Sequence, residues 1–196
     1  LATALQYEPD YAPAYNMRGL VHMQLLEDKE AEDDFQHSLR LAPNSSETHN
    51  NYGWFLYQTG HSKEALEHFL TTLKNPLYGT PEKPLLNAGL CSLQLNDDAA
   101  AEDYFLKALQ RQPAMAPALY GLAEIAYRRG DYAKSRSYID RYLQFIPQPS
   151  ADVLWMAVRV SRKAGDRAAE ADYGFQLRKR FPDSKEAQLL REGRYE

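Results

Sequence analysis

Small, aromatic and proline positions recur along this chain at a spacing near 34 residues, which indicates a repeated structural unit. The first small position is occupied by Gly19, Gly53, Gly89 and Ala123, at spacings of 34, 36 and 34 residues. An alanine follows twelve positions later, and a phenylalanine four positions after it, in the pairs Ala31 and Phe35, Ala65 and Phe69, and Ala101 and Phe105. Prolines close the units; they are Pro9, Pro43, Pro113, Pro147 and Pro182.

These recurring positions are typical of the tetratricopeptide repeat, a pair of antiparallel helices about 34 residues long. The two small residues let the paired helices approach closely, the phenylalanine fills the gap between neighbouring units, and the proline stops the second helix. We therefore predict an all-α fold, a tetratricopeptide repeat superhelix with five complete repeats, a partial N-terminal repeat and a C-terminal capping helix.

The predicted array runs over residues 1–196 as a single domain. Residues 1–11 are expected to end a truncated repeat, and because the sequence starts at Leu1 we expect a fragment that has lost a preceding segment. The last complete repeat is degenerate, with Val158 and Glu170 at its two small positions. Residues 185–196 are expected to begin the polar cap that repeat arrays need for solubility. The complete repeats are predicted at 12–45, 46–81, 82–115, 116–150 and 151–184.

The segment KNPLYGTPEKP joins the second and third predicted repeats and is two residues longer than the other joints. Asn75–Pro76 is predicted to end one helix, and Gly79 to permit a turn. Thr80–Glu82 is predicted to cap the next helix, with Pro81 in its first turn. Tyr78 is interpreted as a side chain that seals the connector, with a second contact surface as the alternative.

Net charge and composition exclude several classes of function. The net charge is −4, and no stripe of lysine and arginine alternates with aromatic residues, so nucleic acid is not an expected partner. No apolar run approaches the roughly 18 residues that span a bilayer. Cys91 is the single cysteine, so no disulfide is expected within these residues, and the compartment cannot be read from it.

Four segments of the chain together resemble the type IV pilus biogenesis and stability lipoproteins, the PilF/PilW pilotin family. They are NNYGWFL (Asn50–Leu56), NPLYGTP (Asn75–Pro81), NAGLC (Asn87–Cys91) and DVLWMAVRVSRKAGD (Asp152–Asp166). The resemblance implies a lipoprotein on the periplasmic face of the outer membrane, held by an N-terminal lipid anchor that is missing here. It also implies a non-enzymatic scaffold that helps the type IV pilus secretin reach the outer membrane and form multimers.

The first helix of each repeat forms the inner wall of a tetratricopeptide superhelix. Counting the inner positions gives a wall with an apolar, aromatic middle and a cationic end, suited to a peptide segment that carries apolar and acidic groups. The alternative for the three leucines of the middle is simple packing against a neighbouring unit. The candidate binding residues are Asn16, Leu20, Asn50, Trp54, Tyr57, Leu86, Leu90, Leu93, Tyr120, Tyr127, Arg128, Trp155, Arg159 and Arg162.

Other kinds of site have little support. A clamp for a C-terminal carboxylate would need Lys, Asn and Arg where Asn16, Leu20 and Asn87 stand. The acidic run Glu27–Phe35 lacks the spacing of a calcium loop, and the histidines are scattered, so no metal site is predicted. No catalytic or phosphate-binding motif occurs, so we expect no enzyme activity and no cofactor. Cys91 is expected to be a small buried hydrophobe.

The functional prediction is therefore a secretin pilotin that acts as a monomer and contacts the membrane only through its missing lipid anchor. Two alternatives stay open. One is a generic tetratricopeptide adaptor, similar to a co-chaperone, that binds a peptide segment of an unknown partner. The other is the helper domain of a larger enzyme, which the full reading frame would reveal.

Overall fold

The fold consists of helices. The computed structural model describes residues 2–195, and twelve α-helices and no strand occur in that range. The predicted all-α fold class is confirmed. Over the same residues, no helix is both long enough and apolar enough to cross a membrane. The helices are α1 (Ala2–Tyr7), α2 (Ala12–Gln24), α3 (Asp28–Leu41), α4 (Ser46–Gln58), α5 (Ser62–Leu73), α6 (Glu82–Gln94), α7 (Asp98–Arg111), α8 (Ala116–Arg128), α9 (Tyr132–Phe145), α10 (Ala151–Lys163), α11 (Arg167–Arg180) and α12 (Lys185–Glu192).

The helices form two compact units, one ending at Arg111 and the other beginning at Gln112. In the first unit, α2 packs on α3, α4 on α5 and α6 on α7. In the second unit, α8 packs on α9 and α10 on α11, while α12 contacts both α10 and α11. Each of these pairs is a hairpin that lies inside one predicted repeat. The limits between repeats fall in the loops and stay predictions.

In three of the hairpins, a proline shortly after the second helix fixes where that helix ends. α3, α9 and α11 are followed by Ala42, Ile146 and Phe181, and a proline comes next in each case. The φ angles of these residues are −135°, −123° and −134°, because the following proline ring disfavours helical backbone. After α5, Lys74 keeps helical φ and ψ angles of −69° and −19°, since Asn75 follows it instead of a proline. The chain therefore needs a longer joint before α6.

Asn75 organises that joint. Its side-chain oxygen accepts a hydrogen bond from the Leu77 backbone N–H at 3.0 Å, and its Nδ2 donates to Ser46 Oγ at 2.9 Å. Tyr78 is half-buried, as a connector seal would be, whereas Leu77 is 89% exposed. The predicted cap of α6 is wrong. Pro81 is the N-cap residue and precedes the first turn, and no side chain that the structure describes caps this helix.

In the last hairpin, the small residue and the large residue have changed places relative to the earlier hairpins. In the earlier hairpins of the first unit, a glycine of the first helix faces a buried phenylalanine of the second. In the last hairpin the first position is Val158, which is fully buried, and the second is Gly174. A Cβ at Gly174 would lie 3.3 Å from Leu190 Cδ2, so α12 packs closely over this glycine. The cap helix α12 thus covers the face that Gly174 leaves without a side chain.

The three-residue turn inside each hairpin needs one residue with left-handed backbone. Gly60, Gly130 and Gly165 supply it with φ between 76° and 86°, and Asn96 supplies it with φ 60°. The first hairpin uses Leu26, with φ 61° and 85% exposure of the residue. Leucine lacks the short polar side chain that eases this conformation for asparagine, so the turn at Leu26 is strained.

Replacing this leucine is expected to stabilise the protein. Leu26→Gly should raise the free energy of unfolding by about 1 kcal/mol, because glycine adopts positive φ without a steric cost and little buried surface is lost. Asn96→Gly is the matched control and should change it by less, since asparagine tolerates this region. Urea unfolding followed by circular dichroism measures both. A less stable Leu26→Gly variant would contradict the strain argument.

Two histidines form a partly buried pair between α4 and α5. His49 Nδ1 lies 2.7 Å from His68 Nδ1, and His49 Nε2 lies 2.9 Å from the Pro43 carbonyl oxygen. Since a carbonyl only accepts, His49 carries its proton on Nε2, and the Nδ1–H of His68 donates to His49. Burial and then the neighbouring His49 lower the pKa of His68 to about 4. His68 is therefore neutral near pH 7.

This pair should make the fold sensitive to mild acid. The unfolded chain binds a proton at His68 below about pH 6.5, whereas the folded chain binds it only near pH 4, so stability falls as pH drops through this window. In a His68→Gln variant, the loss of stability between pH 6.5 and pH 4.5 is expected to be smaller. Melting temperatures of both proteins across this range test it. Parallel curves would show that His68 does not contribute.

Candidate functional site

The first helices of the hairpins lie side by side in the first unit. α4 contacts both α2 and α6. Asn51 of α4 donates its Nδ2–H to Oδ1 of Asn16 on α2 at 3.2 Å. Asn16 was predicted to line a binding surface, but it is only 4% exposed. Its amide ties two helices together and offers little surface to a partner.

An aromatic pair stands on the exposed side of α4. Trp54 and Tyr57 stack with ring centroids 5.4 Å apart and planes 22° apart. Both are partly buried and pack against the core cluster that contains Phe55 and Cys91. Burial raises the pKa of Tyr57, so its phenol stays protonated, and its hydroxyl hydrogen-bonds Gln94. The pair therefore presents rigid aromatic surface held from below by the core.

Beside this pair lies a cleft of about 250 Å³ between α4 and α6. One side chain in it, Asn50, is incompletely bonded. Its Oδ1 is shielded and has no hydrogen-bond partner among the described residues. A buried acceptor without a partner costs about 1–3 kcal/mol, which a donor that reached this oxygen would recover. The lining residues are Asn50, Asn51, Trp54, Lys83, Leu86 and Asn87.

The remaining predicted residues of the first unit are Leu20, Leu90 and Leu93, and all three are partly buried. Leu20 packs against the same core cluster as Trp54. Leu86 combines partial burial with a place in the cleft wall. The structure therefore brings Asn50, Trp54 and Leu86 together in the cleft wall, whereas Leu20 packs on the core.

In the second unit, the predicted residues of α8 differ in exposure. Tyr120 is partly buried, and burial raises the pKa of its phenol to about 12. Tyr127 is partly buried beneath the guanidinium of Arg159, whose central carbon lies 4.4 Å from the ring centroid. Arg128 is exposed and lies 3.7 Å from Glu124. The α8 surface is therefore amphipathic.

Tyr195 covers part of the cationic end. Trp155 is only 8% exposed, because the Tyr195 ring stacks on it with centroids 5.6 Å apart. Arg159 Nε donates to the Tyr195 carbonyl oxygen at 3.0 Å, and Arg162 lies 4.0 Å above the Tyr195 ring. The prediction of an accessible Trp155 therefore needs correction. Sequence reasoning missed Tyr195; its one signal is an aromatic residue in an otherwise polar final segment.

Cys91 is buried, and burial raises the pKa of its thiol to about 12, so it is held as an unreactive thiol. Within residues 2–195, no three His, Cys, Asp or Glu side chains are grouped so that they could hold a metal ion. The acidic run of α3 is mostly exposed, but Asp34 is buried and bonded by Arg18 through both oxygens, at 2.7 Å and 2.6 Å.

The chain is similar to a family of repeats and to one pilus protein in particular. Tetratricopeptide repeat models match residues 12–45, 35–67, 53–116 and 93–151. The type IV pilus assembly protein PilF of Pseudomonas aeruginosa is 31% identical over 191 residues, which cover 96% of this chain and 74% of that protein. The family resemblance noted in the sequence is therefore confirmed.

Solved structures agree with the sequence similarity. PilW, a widely conserved type IV pilus biogenesis factor, matches with a TM-score of 0.87 at 30% identity, over 96% of this chain and 86% of PilW. Pseudomonas aeruginosa PilF matches with a TM-score of 0.90 at 29% identity, over 97% of this chain and 85% of PilF. YrrB, a tetratricopeptide protein, shares the fold at 15% identity, with a TM-score of 0.76 over 97% of each chain. This chain belongs to the family of tetratricopeptide type IV pilus biogenesis proteins that includes PilF and PilW.

Proposed function

We propose that this protein is a pilotin, a non-enzymatic scaffold that binds the type IV pilus secretin and helps it reach the outer membrane and form multimers. The observation that carries the proposal is the similarity to PilF and PilW across 96% of the chain. A protein of this kind needs a surface that recognises another protein, and the cleft beside Trp54 is suited to that task. We place the protein on the periplasmic face of the outer membrane, held by a lipid anchor.

The chemistry of the cleft favours a peptide segment as its occupant. Trp54 and Leu86 offer apolar surface, and aromatic residues are enriched where protein interfaces gain most of their binding energy. Around them, the amides of Asn50, Asn51 and Asn87 can both donate to and accept from a peptide backbone. Apolar contact with amide pairing is what an extended segment needs, since its backbone groups lose water on binding.

A generic tetratricopeptide adaptor remains the second candidate, because the same cleft would serve any extended segment. The two are separated by a genetic test. In a strain deleted for the full-length gene, the pilotin proposal expects little secretin in heat-resistant multimers, and expects the intact gene to restore them. A gene whose product lacks the lipid anchor should leave the multimers away from the outer membrane. Normal multimers in the deletion strain would refute the pilotin role and leave the adaptor.

A further inference from the structure

The last repeat holds a segment of its own chain in an aromatic and cationic slot. The ring of Tyr195 lies between Trp155, at 5.6 Å between centroids, and the guanidinium of Arg162, at 4.0 Å from the ring. Its carbonyl oxygen accepts a hydrogen bond from Arg159 at 3.0 Å. The slot thus holds one ring and one backbone group of Tyr195 together, and a short peptide segment offers the same two kinds of group.

The segment that enters the slot is joined to α12 by a pivot. Gly193 ends the helix with φ 67°, and no heavy atom lies within 4 Å of a Cβ built there. Hydrogen bonds from the N–H groups of Gly193 and Arg194 to Leu190 and Leu189, at 3.2 Å and 3.0 Å, stay within the helix end. The ring of Tyr195 can therefore leave without unwinding α12, because rotation about the backbone bonds that follow the Arg194 nitrogen keeps both of these helix-end bonds.

Next to the slot is an open cleft of about 900 Å³ with an excess of positive charge. Arg162, Lys163, Arg167 and Arg194 line it, and Glu170 is the one acidic residue among the described lining residues. Glu170 already pairs with Arg162 at 2.9 Å. Arg194 pairs with Glu192 at 3.3 Å, whereas Lys163 and Arg167 lie around open volume, so a ligand with carboxylates is electrostatically favoured there.

We propose that this slot and cleft bind an acidic segment of a protein partner that carries an aromatic residue, and that Tyr195 occupies the aromatic position until such a segment displaces it. The proposal rests on the proposed role as a protein-binding scaffold and names the chemistry of one bound segment. Tyr195 shows the geometry that the partner's ring adopts. The neighbouring cations Lys163 and Arg167 meet the acidic side chains of the partner.

A labelled peptide of sequence EDGYED, blocked at both ends, is the probe, and its binding is measured by fluorescence anisotropy. Tyr195→Ala is expected to bind it about tenfold more tightly than the unchanged protein, since an internal competitor is removed. Tyr195→Phe keeps the ring and should bind like the unchanged protein. If Tyr195→Ala gains nothing over Tyr195→Phe, the displacement is refuted.

Charge is tested in the Tyr195→Ala background. Adding Arg162→Gln should weaken binding of EDGYED about tenfold, because a cation–ring contact and a charge attraction are lost together. Arg178→Gln, an exposed arginine of α11 outside the cleft, is the matched control and should have little effect. Equal binding of the basic peptide KKGYKK would refute the acidic preference. Failure of the peptide with secretin multimers still dependent on the protein would reject this slot and leave the pilotin role intact.

Discussion

Phe105→Ala is expected to lower the free energy of unfolding by about 3–5 kcal/mol, the largest stability change of any substitution considered for this chain. Phe105 is fully buried between α6 and α7, where Gly89 lies directly opposite its ring. Removing the ring loses its burial and leaves a cavity that two helices cannot close. Urea unfolding followed by circular dichroism gives the value. A loss below about 1 kcal/mol would mean that the hairpin closes around the gap.

Gly89 lies opposite this ring and should not tolerate a larger side chain. A Cβ at Gly89 would lie 2.5 Å from Phe105 Cε1, closer than atoms can stand. Gly89→Ala gains about 1 kcal/mol of helix propensity, but overpacking costs about 1–3 kcal/mol, so a net loss is expected. Gly79→Ala is the control, since nothing lies within 4 Å of a Cβ there, and its stability should hardly change.

The double variant Phe105→Ala with Gly89→Ala separates the effect of packing from the effect of helix propensity on stability. Once Phe105→Ala has removed the ring, Gly89→Ala has room for its methyl group and should stabilise the protein by about 1 kcal/mol. The sign of one substitution thus reverses with the residue opposite, which is a direct coupling between neighbours. Additive effects would show that the ring and the glycine do not constrain each other.

The repeat pattern predicted the hairpins because each recurring residue type is required by a contact or a backbone angle within one repeat. Gly89 and Phe105 must fit each other, and Pro43 must keep Ala42 out of helical backbone. These requirements hold between residues of one repeat, so they can be recognised in a single sequence. Even the exchange in the last repeat follows this logic, since Val158 stands where glycine was expected and Gly174 stands where phenylalanine was expected.

The candidate site was predicted less completely, because exposure depends on what else covers a helix face. The position of Trp155 in its helix is inner, yet Tyr195 returns over it from a later segment. Asn16 is also at an inner position, yet Asn51 of the next hairpin bonds it. A count of helix positions cannot contain these contacts. Trp54, at another of the counted positions, is partly exposed.

On the pilotin proposal, Trp54→Ala should reduce binding of the secretin by about 2 kcal/mol or more, which is about thirtyfold or more in affinity. Trp54 combines ring stacking on Tyr57, a place in the cleft wall and support from the core below. A partner side chain therefore meets a large surface that loses little freedom on binding, which is the reason tryptophan dominates many interfaces. Titration calorimetry with the purified proteins measures the effect.

The comparison must separate binding from folding, since Trp54 also touches the core. Leu106→Ala is the matched control, because Leu106 is 39% exposed on α7 and lies outside the cleft. The affinity of this variant for the secretin should equal that of the unchanged protein. Leu86→Ala should weaken binding by about 1 kcal/mol, as expected for a smaller apolar contact. If Trp54→Ala is folded and binds with full affinity, the secretin uses another surface. The pilotin proposal would then stand on the secretin multimers alone, because its genetic test does not involve this cleft.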